Sequence, residues 1–233
     1  EPFAFLANLK ANNSKEWIDA HRSDYQRLIK KPADTLRADL TARLSGLTGY
    51  ETTSKQFRIN RDLRFSKDKT PYNAHIRMAF WPAGKVFDGK DAQPPGFFVS
   101  FEPDHIRLGT GCMAFSKSAL GSYLHALESG RGHEIAALMS GLEAKGFDWS
   151  APDLAKAPRG FPKDHEHTDL ARHKGLAVWT SVGPRGHLEA LAGLLVVAPG
   201  SVQSQLIGND HRIGAAITHV AHPSRQRSRA SSG

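Results

Sequence analysis

Hydrophobic and polar positions divide the chain into helix-period segments at both ends and strand-period segments between. In residues 2–11 (PFAFLANLKA), Phe3, Leu6 and Leu9 recur on one side, which predicts a short helix. Asn12-Asn13-Ser14 breaks it, and either Asn13, with Glu16 three residues on, or Ser14 can cap a second helix. From Glu16 the spacing of Trp17, Tyr25, Leu28, Ile29, Leu36, Leu40 and Leu44 predicts helix to about Leu47. Pro32 lies inside that stretch and demands a kink or two helices.

Residues 56–65 carry two periods at once. Phe57, Ile59, Leu63 and Phe65 alternate with polar residues as in a strand, whereas Arg58, Arg61 and Arg64 recur every three residues as on a helix. Extended structure with a turn near Asn60-Arg61-Asp62 satisfies more of these positions. A second extended piece runs from Asn73 to Trp81, closed by Pro82-Ala83-Gly84. Phe97–Phe101 and Ile106–Phe115 read as antiparallel strands joined through 102–105. Ser116 caps a helix over 117–129, and a second runs over 131–145 and stops at Gly146. Residues 151–162, with three prolines, form a loop. A short helix at 165–173, a strand at 175–182 and a helix at 185–196 complete the pattern. Helices, then strands, then helices predict an α+β fold, with helices packed over a mainly antiparallel sheet in one domain spanning 1–198. The pattern dissolves after that, so 199–233 is expected to be a divergent, poorly ordered tail.

Charge changes this picture at one place. Residues 55–77 hold seven Lys or Arg against two Asp, a net +5 within a chain of net +8. Such density, with a pI near 9.7, favours anionic partners. Three more arginines (225, 227, 229) sit in the Ser-rich tail. No stretch approaches the ~20 apolar residues that cross a bilayer, so no membrane role is expected. The first residue is Glu1, and no signal-peptide pattern is visible. Cys112 is the single cysteine, read as a small buried residue on a strand. This composition suits a cytoplasmic location. The residues leave any cofactor unidentified.

The run FRINRDLRFSKDKTPY (57–72) is similar to the signature of domain-of-unknown-function family 2461, a group of bacterial and fungal proteins. FLANLKANNSKEWIDAHRSDY resembles the family's opening, GFFVSFEPDHIRLGTG its central hairpin, and APRGFPKDHEHTDLARHKGLAVW its late Pro-Arg-Gly segment. The resemblance covers roughly 3–195 and departs after about Leu195. No activity comes with it. It implies positions to test: Arg58, Arg61, Asp62, Arg64, Phe65, Lys67, Asp68, Lys69, Pro71, Tyr72, Pro158, Arg159 and Gly160.

An arginine fork binds a carboxylate or phosphate through two parallel hydrogen bonds. On an extended strand Arg58, Asn60, Asp62 and Arg64 share one face, and Arg61 lies on the apolar side. A buried Arg61 would then need a distant acid, making it the structural arginine of the three. Arg58 and Arg64 are the better ligand candidates, with Lys67 and Lys69 beside them and the Tyr72 hydroxyl as a donor. Asp62 and Asp68 can orient these cations or act as acid or base. Arg159, between Pro158 and Gly160, is a second candidate on a tight loop.

The residues support three readings: a small phosphate or carboxylate ligand, with or without chemistry; a nucleic-acid surface; or a motif whose charges pair internally. Phe57 and Phe65 fit an apolar strand face better than stacking platforms, which counts against nucleic acid. His75, among many cations, has its charged form disfavoured and is a candidate general base. His165-Glu166-His167 and His173 lack an HExxH pattern, and Asp169 and His173 share a helical face at most; they are read as solvated surface, with no metal site. Gly109-Thr110-Gly111 is too short for a dinucleotide fingerprint and predicts a bulge or bend in a strand.

Overall fold

A computed structural model of the chain describes residues 1–85 and 93–183. The expected helix at 185–196 and the tail from 199 lie outside them. Two helices open the chain, α1 (Pro2–Ala11) and α2 (Lys15–Ala20). The cap of α2 is Ser14, whose hydroxyl accepts the Trp17 N–H; Asn13 serves elsewhere. A short turn, α3 (Arg22–Asp24), leads into a π-helical segment, Tyr25–Lys30, and then α4 (Lys31–Thr48).

The π segment is the chain's answer to Pro32. Proline has no N–H to offer the carbonyl four residues back, and its ring crowds that carbonyl. The widened turn moves the strain upstream, and Lys31 N–H donates to the Gln26 carbonyl, five residues back. The helix therefore continues through Pro32 instead of breaking at it.

Six strands form one antiparallel sheet in the order β1-β2-β3-β4-β6-β5. They are β1 (Thr52–Gln56), β2 (Ile76–Pro82), β3 (Gly96–Phe101), β4 (Ile106–Cys112), β5 (Asp148–Trp149) and β6 (Leu176–Val182). Alternation decides the burial. Ile76, Met78 and Phe80 of β2, with Phe97 and Val99 of β3 and Ile106 and Leu108 of β4, meet Phe5, Leu6, Leu9, Ile18, Ile29 and Leu44 from the N-terminal helices. Helices α5 (Lys117–Glu128) and α6 (Arg131–Glu143) build a second cluster around Tyr123, Leu127, Ile135 and Met139, against Leu176 of β6. The fold is α+β, helices over an antiparallel sheet.

Three local expectations change. The strand expected across 56–65 lies earlier, at Thr52–Gln56, and 57–75 is an irregular excursion between β1 and β2. The 165–173 helix is a set of turns ending in one 3-10 turn, Leu170–Arg172. Gly109 makes no bulge: β4 pairs in regular register with both neighbours. It is a site of close approach, because the Trp179 indole lies where a Cβ would stand. Trp179 also meets Phe98, with ring centroids 5.7 Å apart, and carries the Arg107 guanidinium 4.5 Å from its own centroid.

Gly109→Ala should therefore force Trp179 out of place and cost about 1–3 kcal/mol. Urea unfolding followed by tryptophan fluorescence reads this directly. An unchanged midpoint would mean that the indole shifts freely.

Candidate functional site

The basic run hangs from the sheet as a loop between adjacent antiparallel strands. Its base is closed by backbone pairing: Phe57 N–H to Arg77 O (2.9 Å), Asn73 N–H to Ile59 O (2.6 Å) and Arg61 N–H to Pro71 O (2.9 Å). Ile59 is buried in the main core. Asn13 adds a two-way clamp from the helical layer. Its Nδ2 donates to Tyr72 O at 2.8 Å, and its Oδ1 accepts Tyr72 N–H at 3.0 Å. Tyr72 thus contributes its backbone, while its ring packs against the main core.

Within the loop the acids are already engaged. Arg61 reaches Asp68 Oδ2 at 2.6 Å, Thr70 O at 3.1 Å and Ser66 Oγ at 3.3 Å, and also donates to the Thr70 hydroxyl. Its side chain is only 22% exposed. Arg61 is the structural arginine, as expected, but its acid is not distant. The segment is no strand, so the chain folds back within seven residues and Asp68 supplies the charge. Asp68 is held down to about 2, first by the Thr70 backbone N–H, then by Arg61.

Arg64, expected as a ligand residue, is instead paired in fork geometry with Asp62: Nε to Oδ1 at 2.9 Å and Nη2 to Oδ2 at 2.6 Å. That pair holds the Asp62 carboxyl well below its ordinary value, with the charge of Arg58 adding to the effect. Lys69 donates to Leu63 O at 3.0 Å. Arg58 and Lys67 are exposed and make no hydrogen bond or ion pair among the described residues. Arg159 is exposed on a tight turn closed by Phe161 N–H to Pro158 O. That turn is anchored by Phe161 in the second cluster, and among the described residues no hydrogen bond or ion pair joins Arg159 to the basic loop.

Phe65 departs most from expectation. It is 95% exposed, with the Arg64 guanidinium 6.0 Å from its ring. Phe57 does lie on an apolar face, beside Ala79, Trp81 and Phe98. Strand β1 ends at Gln56, with the Phe57 N–H still paired to Arg77 O, and Phe65 lies beyond that pairing.

His75 sits at the loop's return to β2. Its Nδ1 is 3.5 Å from Glu102 Oε2, and Glu102 Oε1 accepts the Ser100 hydroxyl at 2.6 Å. Burial pushes the His75 pKa down, Arg77 and Arg61 push it further, and Glu102 opposes them. The imidazole is therefore neutral at neutral pH. Cys112 is buried on β4, and burial pushes its thiol up to about 11, which disfavours the thiolate.

The histidines after 164 are not uniformly solvated. His167 and His173 are buried, at 7% and 6% exposure, and each has a ring nitrogen without a hydrogen-bond partner. Asp169 is turned outward to Arg172. His133, from α6, comes beside Glu166 and His167, and potential ligand atoms of the three lie within 4.8 Å of one another. Sequence spacing offers no signal for His133, because more than thirty positions separate it from 166–167.

A profile of the conserved hypothetical protein family DUF2461 matches residues 1–191, which takes in both the loop and this histidine segment. The chain belongs to the DUF2461 family. Curated proteins gave no match. For a DUF2461 protein the assignment brings no reaction. No helix among the described residues is long and apolar enough to cross a membrane.

The depressed His75 pKa has a defined sign. The unfolded chain gains this proton near pH 6.5, while the folded chain resists it. Stability is therefore full above that pH and falls as pH drops below it. Asp62 and Asp68 act lower: their contribution is present above about pH 4 and is lost only on approach to their own depressed values. Melting temperature should fall between pH 7.5 and 5.5, and by less in His75→Asn. Equal falls in the two proteins would show that His75 protonates without penalty.

Proposed function

We propose that the 57–72 loop binds a small anionic ligand through a phosphate or carboxylate group. One observation carries this reading. Five cations stand on the loop with two acids, and both acids are taken by Arg61 and Arg64, leaving Arg58, Lys67 and Lys69 without a carboxylate partner among the described residues. The ion pairs and the Asn13 clamp supply order before any ligand arrives, which lowers the cost of binding. Arg58 offers a planar fork to two oxygens, and the lysines offer point charges. Lys69 keeps two ammonium hydrogens beyond the one given to Leu63 O. His75, whose titration feels Arg61, is the group beside the loop able to accept a proton at neutral pH.

A second reading, single-stranded nucleic acid, draws support from Phe65. An exposed ring beside exposed cations offers a stacking platform as well as phosphate contacts. Phosphate binding alone does not call for that ring.

Thermal denaturation against phosphate, nucleotides, sugar phosphates, dicarboxylates and short oligonucleotides tests both. A ligand at 100 times its Kd adds about 2.7 kcal/mol, at roughly 2–4 °C per kcal/mol for a domain of this size. Arg58→Ala/Lys67→Ala is the control, since neither side chain holds the fold together. A rise with one small-anion class, lost in the control and kept in Phe65→Ala, is the expected result. Oligonucleotide binding that weakens by about 1–3 kcal/mol in Phe65→Ala and falls steeply with salt would favour the second reading. No rise with any compound would leave the loop a self-paired structural motif.

A further inference from the structure

We propose that His133, Glu166 and His167 form a site for a divalent transition-metal ion of the zinc class. The site joins the first turn of α6 to the turns at 164–169. His133 Nε2 lies 3.3 Å from Glu166 Oε1, and the His133 and His167 rings meet edge-on with centroids 5.0 Å apart. Metal–nitrogen and metal–oxygen bonds of about 2.0–2.2 Å in a tetrahedron place neighbouring ligand atoms roughly 3.3–3.5 Å apart. The His133–Glu166 separation already matches that edge. The widest separation in the trio, 4.8 Å at most, closes by small rotations of His133 and Glu166, whose side chains are 67% and 61% exposed.

An exposed imidazole–carboxylate contact explains His133 and Glu166 but not His167. The His167 ring is buried, and its Nε2 is shielded from solvent with no hydrogen-bond partner. Leaving such a group unsatisfied is unfavourable, and proteins rarely do it without a use for it. The backbone that carries the ring is fixed. His167 N–H donates to His165 Nδ1 at 3.1 Å, and its carbonyl accepts Ala171 N–H at 3.1 Å. On the other side the ring lies against Gly132, where a Cβ would collide with it. Glycine next to His133 thus lets the α6 backbone come close enough for the two imidazoles to share a neighbour.

The donor set selects the ion. Two imidazoles and one carboxylate, without thiolate, suit zinc and its first-row neighbours; magnesium and calcium prefer all-oxygen shells. Three protein ligands leave one tetrahedral position for water or a ligand atom.

Equilibrium dialysis and calorimetry of the full chain with Zn2+ test the site, with Co2+ absorption as a report on coordination geometry. One equivalent of Zn2+ should bind, and Co2+ should give the intense visible bands of a four-coordinate site. His133→Ala and Glu166→Gln alter exposed side chains and should fold. Each should weaken Zn2+ binding by more than about tenfold, in keeping with loss of a direct ligand, and should abolish the rise in melting temperature that Zn2+ gives the parent. No stoichiometric binding would overturn the proposal. So would binding that both variants retain, which would place the ion on other histidines of the chain. His167→Asn adds a check: Zn2+ binding undiminished in a folded variant would remove the central ligand from the argument.

Discussion

Strands β1 and β2 are hydrogen-bonded neighbours, yet nineteen residues separate the end of one from the start of the other. That constraint governs the basic loop. A chain that leaves a sheet and returns to the adjacent strand must close on itself, and a loop this long needs order of its own to hold one shape. Order comes at three levels: Ile59 enters the core, Asn13 clamps Tyr72 from the helical layer, and Arg61 gathers Asp68, Ser66 and Thr70. The first two need the sheet and the N-terminal helices already in place, since Ile59 enters their shared core and Asn13 reaches Tyr72 from the helical layer; the third is local to the loop.

Electrostatics then divides the arginines into two kinds. Exposed ion pairs contribute little to stability on average, but they decide where a flexible side chain rests. Arg61 is half-enclosed and many-handed, so its role is to shape the turn. Arg64 is 77% exposed and paired in a fork with Asp62, which fixes the local backbone and commits its ligand-binding geometry to an internal acid. Arg58 and Lys67 are committed to nothing inside the loop. A local count of charges cannot separate these roles, because it treats all five cations alike; the geometry of two aspartates separates them.

The regular parts of the fold were legible because periodicity and burial agree there. The hairpin of β3 and β4, the Ser116 cap, the helices at 117 and 131, and the strand at 176 all follow from short-range patterns. Pro32 was legible as a perturbation, though not as a π turn, since propensity alone does not choose between breaking and widening a helix. Residues 57–65 misled for a physical reason. The fold does not follow the alternation even at its start: half-buried Phe57 packs beside Ala79, Trp81 and Phe98, whereas Ile59 enters the main core on the other face of the sheet. The alternation continues by coincidence through Leu63 and Phe65, after the ladder has ended. A two-residue period says where side chains would point if strand pairing continued; it does not say that a partner strand exists.

The histidine segment shows the complementary failure. Read alone, 165–167 lacks the spacing of a helical metal motif, and the segment is in fact no helix. Turns remove the rule that would have set residues 165 and 167 apart. They let His167 be buried against Gly132 while Glu166 stays at the surface beside His133. Chemistry gathered across a tertiary contact leaves no spacing signature, but it does leave a steric one: Gly132 has no room for a side chain because an imidazole occupies it. A buried ring with an orphaned nitrogen, on a fixed backbone and against Gly132, is a more specific statement about function than a cluster of charges on a loop. The loop's cations can be satisfied by water, whereas His167 Nε2 has no access to it. The orphaned nitrogen therefore needs an occupant more than the basic loop does.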